Sequence, residues 1–576
     1  MIMRGNHFVI FFSILLGSLG CAPAGTYKYV QVSLPGQASL TMKHTAAIFA
    51  TRIAERSGAR VVEGNVRALK VVLKIDNGIG KEGFRIEDGD GGVRITGNDD
   101  RGLLYGVGKF LRTSKYNKYG IVPGKWRGVS VPEKPIRGIY FATHFYNYYQ
   151  NAPLEEIESY IEDLALWGIN NIMMWFDMHH FRDEKDPEGM EFLNRLRQIA
   201  NSARKVGMGV SFTMTGNEGY GESPEELRVK PGGSRGGVYF TDICPSVGGG
   251  KEYIVKIRTN FFDRIKDLQP EYICIWPYDQ GGCGCKECMP WGSNGFIKIS
   301  KILSKLTRRI LPGTKIILST WDFDASEWKS LNEVLAKDNS WIDVVLEEHW
   351  DENYNAGYKS SARNLPVVRF PEISMFNTFP WGGFGATPIP LQIKKSFDNK
   401  FGKNVAGGFP YSEGIFEDIN KVVCSQLFWD SSQPPDNILK EYASYEFTSE
   451  YADSIVKVIH ILEQNHHWRW WPDMLKDVKL TLDWFPCKGA KLQEDPGAEQ
   501  AYSIMQTVDK KLPDRAKSSY RWRTLYIRAM LDTELKAKQG SPNENCNEGF
   551  RELAKIYHTS TKTDPCLRPP VKGAGY

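Results

Sequence analysis

From Pro135 onward the sequence alternates an apolar run of strand length with an amphipathic run of helix length, eight times in about 300 residues. "IRGIYFATHF" reads as a strand, and "LEEIESYIEDLALWG" as a helix with Leu154, Ile157, Ile161, Leu164 and Trp167 on one face. "NNIMMWFDMHHF", "GVSFTMTGNEGYG", "EYICIWPYD", "KIILSTWDFD", "IDVVLEEHW", "PVVRFPEISMF" and "NVAGGFPYSEG" supply the further strands, most of them followed by helical segments. Strands without alternation, separated by helices, fit a parallel sheet covered on both faces. Eight such units predict a (β/α)8 TIM barrel over 135–431. A doubly wound open sheet is the alternative, and the absence of a Gly-rich phosphate loop after the first strand counts against it.

The flanks read differently. Residues 27–125 predict a small α+β domain. "ALKVVLKID", "EGFRIED" and "GVRITG" are strands, "HTAAIFATRIAERSG" is a helix, and "NDDRGLLYGVGKFLRT" is a second helix capped by Asn98 or Asp99. After about residue 432 strand patterns vanish, and 432–576 predicts a helical C-terminal domain. The fold class is thus α/β. Residues 1–20 have an early Arg, an apolar run and small residues, the pattern of a secretory signal peptide. "GSLGC" places Cys21 where a lipoprotein is acylated, although Ser18 and Leu19 depart from the usual lipobox order. The expectation is a protein outside the cytoplasm, periplasmic or on the cell surface, held to a membrane by a lipid on Cys21; plain secretion is the alternative. No later segment has the length and apolarity of a membrane span.

Barrel chemistry sits at the C-terminal ends of the strands. Read in order, these ends offer His144; Asp177, His179 and His180; Asn217 and Glu218; Asp279; Trp321 and Asp322; Glu347, Glu348, His349 and Trp350; Glu372, followed by Trp381; and Tyr411 with Glu413. Carboxylates interleaved with aromatic rings suit a glycan. Carboxylates accept from sugar hydroxyls, rings cover sugar C–H faces, and cleaving a glycosidic bond takes one protonated and one ionised carboxyl. The expected substrate-binding residues are His144, Asp177, His180, Asn217, Glu218, Trp321, Trp350, Trp381, Tyr411 and Glu413. Sixteen Trp and 26 Tyr also serve a core, and core accounts for most of them. A net charge of +5 without a basic stripe argues against nucleic acid.

Other residues admit duller readings. His179 and His180, if both are on a strand, point to opposite faces and make a poor ligand pair. Arg137 is favoured as a salt-bridged barrel residue over a contact to an acidic sugar. Cys283, Cys285 and Cys288 have spacing that suits zinc with Cys244 as fourth ligand, or a disulfide in an oxidising compartment. Either way the expected role is to hold a loop, and no catalytic metal or other cofactor is expected. Cys546 and Cys566 are a further possible bridge.

"VRITGNDDRGLLYGVGKFLR" resembles the end of the small N-terminal domain shared by α-glucuronidases of glycoside hydrolase family 67 and β-hexosaminidases of family 20. The barrel and the tail with "RWRTLYIRAMLDTEL" are similar to the family 67 layout. The resemblance implies an inverting glycoside hydrolase with Asp279 as acid and Glu348 and Glu372 on the base side. Glu218 and Glu413 are rivals for either role. Two departures stand out: family 67 has Glu where this chain has Asp279, and "PYDQ" lacks the Asp-Glu pair of family 20. The expected substrate is a uronic acid on a complex glycan, with an N-acetylhexosamine second. A glycan-binding lipoprotein without catalysis and a metal-dependent hydrolase are the readings from other classes.

Overall fold

The computed structural model describes residues 23–64, 67–89, 91–143, 147–233, 235, 241–279, 281–347, 365–374, 385–398, 405–465, 497–537 and 543–558. Cys21, His144, Glu348, His349, Trp350, Trp381 and Cys566 lie outside them.

Eight parallel strands close into a barrel. They are β1 (Ile136–Phe141), β2 (Asn171–Trp175), β3 (Gly209–Thr215), β4 (Tyr272–Trp276), β5 (Lys315–Ser319), β6 (Val344–Glu347), β7 (Val367–Arg369) and β8 (Gly407–Gly408). Closure comes from β1 pairing with β2, with Gly138 opposite Asn171, and with β8, where Ile136 lies opposite Gly407. A second short piece, Tyr411–Ser412, rejoins β1 beside Tyr140 and Phe141. The predicted seventh and eighth strands are therefore shorter or broken. Pro371 has no N–H to donate, and Pro410 splits the last strand into two pieces.

Both strand faces are apolar because both are buried. Tyr272, Cys274, Trp276, Val344, Leu346, Val368 and Phe370 alternate into the barrel, while Ile273, Ile275, Val345 and Leu318 face the surrounding helices. Gly407 is required at the seam. Its φ is +131°, and a Cβ there would lie 1.6 Å from the Ile136 carbonyl oxygen.

The N-terminal unit is a six-stranded mixed sheet with helices Leu40–Arg56 and Asp100–Thr113. Asp99 caps the second helix by accepting from Gly102 N at 2.8 Å, while Asn98 Oδ1 accepts from the N–H groups of Gly78, Ile79 and Gly80. This unit docks on the N-terminal end of the barrel. Glu82 pairs with fully buried Arg137 at 2.5 Å and accepts from Asn170, just before β2, at 3.0 Å. Arg101 donates to the Gly207 carbonyl, just before β3. Arg137 is thus a structural ion pair at the opposite end from the strand tips. The C-terminal helices, among them Pro435–Glu446, Ala452–Gln464, Ala498–Asp509, Tyr520–Ala537 and Glu544–Ile556, pack on the barrel flank. At their end Tyr557 donates to the Glu413 carbonyl at 2.6 Å.

Candidate active site

The last interior layer at the C-terminal end of the barrel is aromatic. Tyr140 and Tyr411 stack with ring centroids 5.7 Å apart, and Phe370 meets Tyr140 and Trp276 edge-on at 5.0 Å each. Trp276 in turn contacts Trp321 at 5.2 Å, and Trp321 is half-buried. These rings make a largely buried aromatic floor beneath the barrel mouth.

Acids stand around this floor in two groups. The charges of Asp177, Glu218 and Asp279 all bear on the Tyr140 phenol, which burial, first, and these anions hold well above its ordinary range. Burial and then the charges of Glu413 and Glu372 act in the same way on Tyr411. Tyr411 donates to Glu413 Oε1 at 2.9 Å, and Glu372 Oε1 accepts from Ser374 N at 3.0 Å. Burial, then the neighbouring charges of Glu372 and Glu417, push the Glu413 carboxyl well up. Glu413 is fully buried, whereas Glu372 and Asp279 are half-buried. Asp279 also has φ +75°, the left-handed region that non-glycine residues rarely adopt and that clusters at functional sites.

The first group is deeper than the sequence suggests. Glu218 pairs with Arg258 at 2.8 Å, both without solvent exposure, and it also accepts from Met178 N. Burial pushes Glu218 up to about 8 against the pull of Arg258, and Asp177 beside it adds to the rise. Asp242 completes the cluster. It is buried, neither of its carboxyl oxygens has a hydrogen-bond partner among the described residues, and burial plus Glu218 and Asp177 hold its proton on.

His179 and His180 correct an expectation. They do not lie on a strand but in a single helical turn, Met178–His180, and so do not face opposite ways. Their rings are 3.7 Å apart, and both reach Asp177, His179 through Nδ1 and His180 through Nε2 at 3.4 Å. The period-2 rule stops applying where β2 ends, at Trp175. Burial lowers His179 to about 3, so its imidazole is neutral. Among the described residues this trio and the four sulfurs of Cys244, Cys283, Cys285 and Cys288 are the groups whose spacing suits a metal ion.

Asn217 acts on the protein itself. Its Nδ2 donates to the carbonyls of Gly282, at 2.8 Å, and Ile243, at 3.3 Å, joining the loops after β3 and β4. The sequence reading also missed Arg235. It donates to Asp324 and Glu327 at 2.7 Å each, lies 4.6 Å over the Tyr278 ring, and its carbonyl accepts from Asp279 N at 3.2 Å. Arg235 and Arg258 reach the site from a loop and from a flanking helix, and strand-end patterns do not register such residues. Asp242 was visible only as the neighbour of "ICPS".

The buried acids set a pH dependence. A glutamate in the unfolded chain loses its proton near 4.5, and Glu218 in the fold near 8. Between those values the unfolded chain binds fewer protons, so stability is full below 4.5 and falls as pH rises towards 8. Asp242 and Glu413 act in the same direction. Glu82 and Glu441, held low, instead lose stability in acid. We expect Tm to be about 2–4 °C lower at pH 8.5 than at pH 6, and Asp242→Asn to shrink that gap. Calorimetric scans at the two pH values test this; an equal gap in the variant removes Asp242 from the account.

No family model and no curated protein sequence matches the chain. Solved structures do. The chain is similar to a family 115 4-O-methyl-α-glucuronidase with specificity for decorated arabinogalactans, at 12% identity and TM-score 0.60, over 92% of this chain and 76% of that one. It is similar to a family 138 enzyme targeting pectin rhamnogalacturonan II, at 11% identity and TM-score 0.57, over 94% and 95%. It is also similar to a family 89 glycoside hydrolase from Clostridium perfringens, at 14% identity and TM-score 0.59, over 90% and 66%. At these identities the shared property is the fold, an α/β TIM-barrel-like fold with a helical C-terminal region.

Proposed function

We propose that the protein is a glycoside hydrolase acting on a sugar borne by a complex glycan. One observation carries the reading: Tyr140 and Tyr411 stack at the barrel mouth, the charges of Asp177, Glu218 and Asp279 bearing on the first and those of Glu413 and Glu372 on the second. Carboxyls gathered at one barrel mouth can supply the acid and the base that glycoside cleavage uses, and Asp279 and Glu372 are the half-buried ones that a glycan can reach. Asp279 is the acid, on the loop leaving β4, and Glu372, after β7, is on the base side. Glu413 is fully buried, and the Glu372 charge helps to keep its proton on. Glu348 remains a second base-side candidate.

The favoured substrate is a uronoside. A 4-O-methyl-α-glucuronidase of this fold supports that choice. An N-acetylhexosaminide is second, supported by a family 89 structure in complex with its substrate GlcNAc-α-1,4-galactose. Purified protein incubated with 4-nitrophenyl α-glucuronide, 4-nitrophenyl N-acetylglucosaminides and glucuronate-decorated arabinogalactan separates these readings. Free uronic acid is the expected product. Release of N-acetylglucosamine alone reverses the order of substrates. Binding of the polysaccharide with no sugar released from any of them leaves a binding protein, not an enzyme.

A further inference from the structure

The loops after β3 and β4 bring four cysteines together. Cys244 follows Asp242 in the first loop, and Cys283, Cys285 and Cys288 lie in the second. All four sulfurs lie within 4.8 Å of one another and none is in a disulfide. Cys244 Sγ is 3.6 Å from Cys285 Sγ and 3.9 Å from Cys288 Sγ. A zinc ion with four thiolates at about 2.3 Å puts its sulfurs about 3.8 Å apart along each tetrahedral edge. The observed spacing matches that edge.

The surroundings suit thiolates. The backbone N–H of Ser246 faces the Cys244 sulfur, and those of Cys285 and Lys230 face the Cys283 sulfur. The Cys288 sulfur meets the Ser246 hydroxyl at 3.3 Å. Such donors stabilise a negative sulfur. The backbone is shaped to close the cluster: Gly284 N donates to Lys230 O at 2.8 Å, and a Cβ on Gly284 would lie 1.9 Å from the Pro231 oxygen. Two disulfides would need the sulfurs to sort into two pairs. Here Cys244 approaches its partners alike, as one corner of a tetrahedron does.

We propose that Cys244, Cys283, Cys285 and Cys288 bind one structural zinc ion that fastens the β3 loop to the β4 loop. Four protein ligands fill the coordination sphere, so no position is left for water or substrate, and the ion takes no part in the reaction. Its effect is on placement. The β4 loop carries Asp279, and the β3 loop carries Arg235 and Asp242, so the ion fixes the distance between the two sides of the barrel mouth. Thiols lose their protons on binding, which makes the affinity fall with falling pH. The site does not depend on the reaction proposed above.

The test uses the full chain, purified without a polyhistidine tag. Elemental analysis should find about one zinc per chain, and alkylation in denaturant without reductant should modify all four cysteines once the metal is chelated. Chelation should also lower Tm. In the Cys285→Ser/Cys288→Ser variant zinc should fall to near zero, while Cys424→Ser, a buried cysteine elsewhere, should keep it. If the double variant does not fold, the wild-type metal content and thiol count still decide. Absence of metal with the four cysteines resistant to alkylation, as disulfides are, overturns the proposal. So does stoichiometric iron in place of zinc, or zinc retained by the double variant.

Discussion

Asp279→Asn should leave the fold intact and lower kcat by about 10²–10⁴, the usual contribution of a positioned general acid. The substitution is chosen for the backbone. Asp279 sits at φ +75°, and Asn is one of the few side chains that tolerate this region. Alanine would add backbone strain to the loss of the carboxyl and blur the result. The side chain is half-buried, so the amide should not disturb packing. A general acid has a further signature, because a good leaving group needs less protonation. The loss should therefore be small on a 2,4-dinitrophenyl glycoside and large on the natural glycan. Steady-state kinetics on both substrates, with Tm and circular dichroism as controls, check this. Full activity on the glycan would remove Asp279 from the mechanism. An equal loss on both substrates would move it from acid to base.

Much of this arrangement is legible in the sequence, for physical reasons that also mark where legibility stops. A parallel strand buried on both faces must be apolar throughout, so "YICIW" and "NIMMW" announce themselves. Strand ends point to the acids whose charges bear on the stacked tyrosines, Asp177, Glu218 and Asp279 on Tyr140 and Glu372 and Glu413 on Tyr411. A helix cap at Asn98 or Asp99, which the fold gives to Asp99, and Arg137 as a salt-bridged residue follow from local rules and from the cost of burying an unpaired charge. The strand rule fails beyond the end of the strand, at Trp175. His179 and His180 turn together because the chain leaves its strand before reaching them. Cys283, Cys285 and Cys288 are neighbours by spacing, and Cys244, the fourth partner the sequence offers, is brought to them by the fold. Arg235, Asp242 and Arg258 matter through reach across connections, which no periodicity encodes. Sequence likeness adds little at 11–14% identity; the barrel is recognisable because its physics is shared.

Arg521→Met is expected to cost about 3–5 kcal/mol, the usual penalty for breaking a buried ion pair from one side. Arg521, on helix Tyr520–Ala537, reaches Asp163 at 3.0 Å and Asp418 at 2.8 Å. Asp163 is on the first barrel helix, Leu154–Leu166, and Asp418 is on the last, Asp418–Trp429. Asp163 also pairs at 3.0 Å with Arg52 of the N-terminal unit. One arginine therefore joins the C-terminal helices to both ends of the barrel's helical ring, beside the seam with the N-terminal unit. Methionine fills much of the same volume, so packing changes little; what remains is two buried carboxylates with too few cations. Removing one of them should recover stability. Arg521→Met/Asp418→Asn should be more stable than Arg521→Met alone, a coupling that packing loss would not produce. Urea unfolding of the wild type and the two variants measures it, and a cost below about 1 kcal/mol for the single change would show the network to be dispensable. The consequence should reach the active site. Tyr557, at the end of the same helical region, holds the Glu413 carbonyl, and strand piece Tyr411–Ser412 ends beside it. Loosening the C-terminal helices should therefore reduce activity at urea concentrations below those that unfold the barrel.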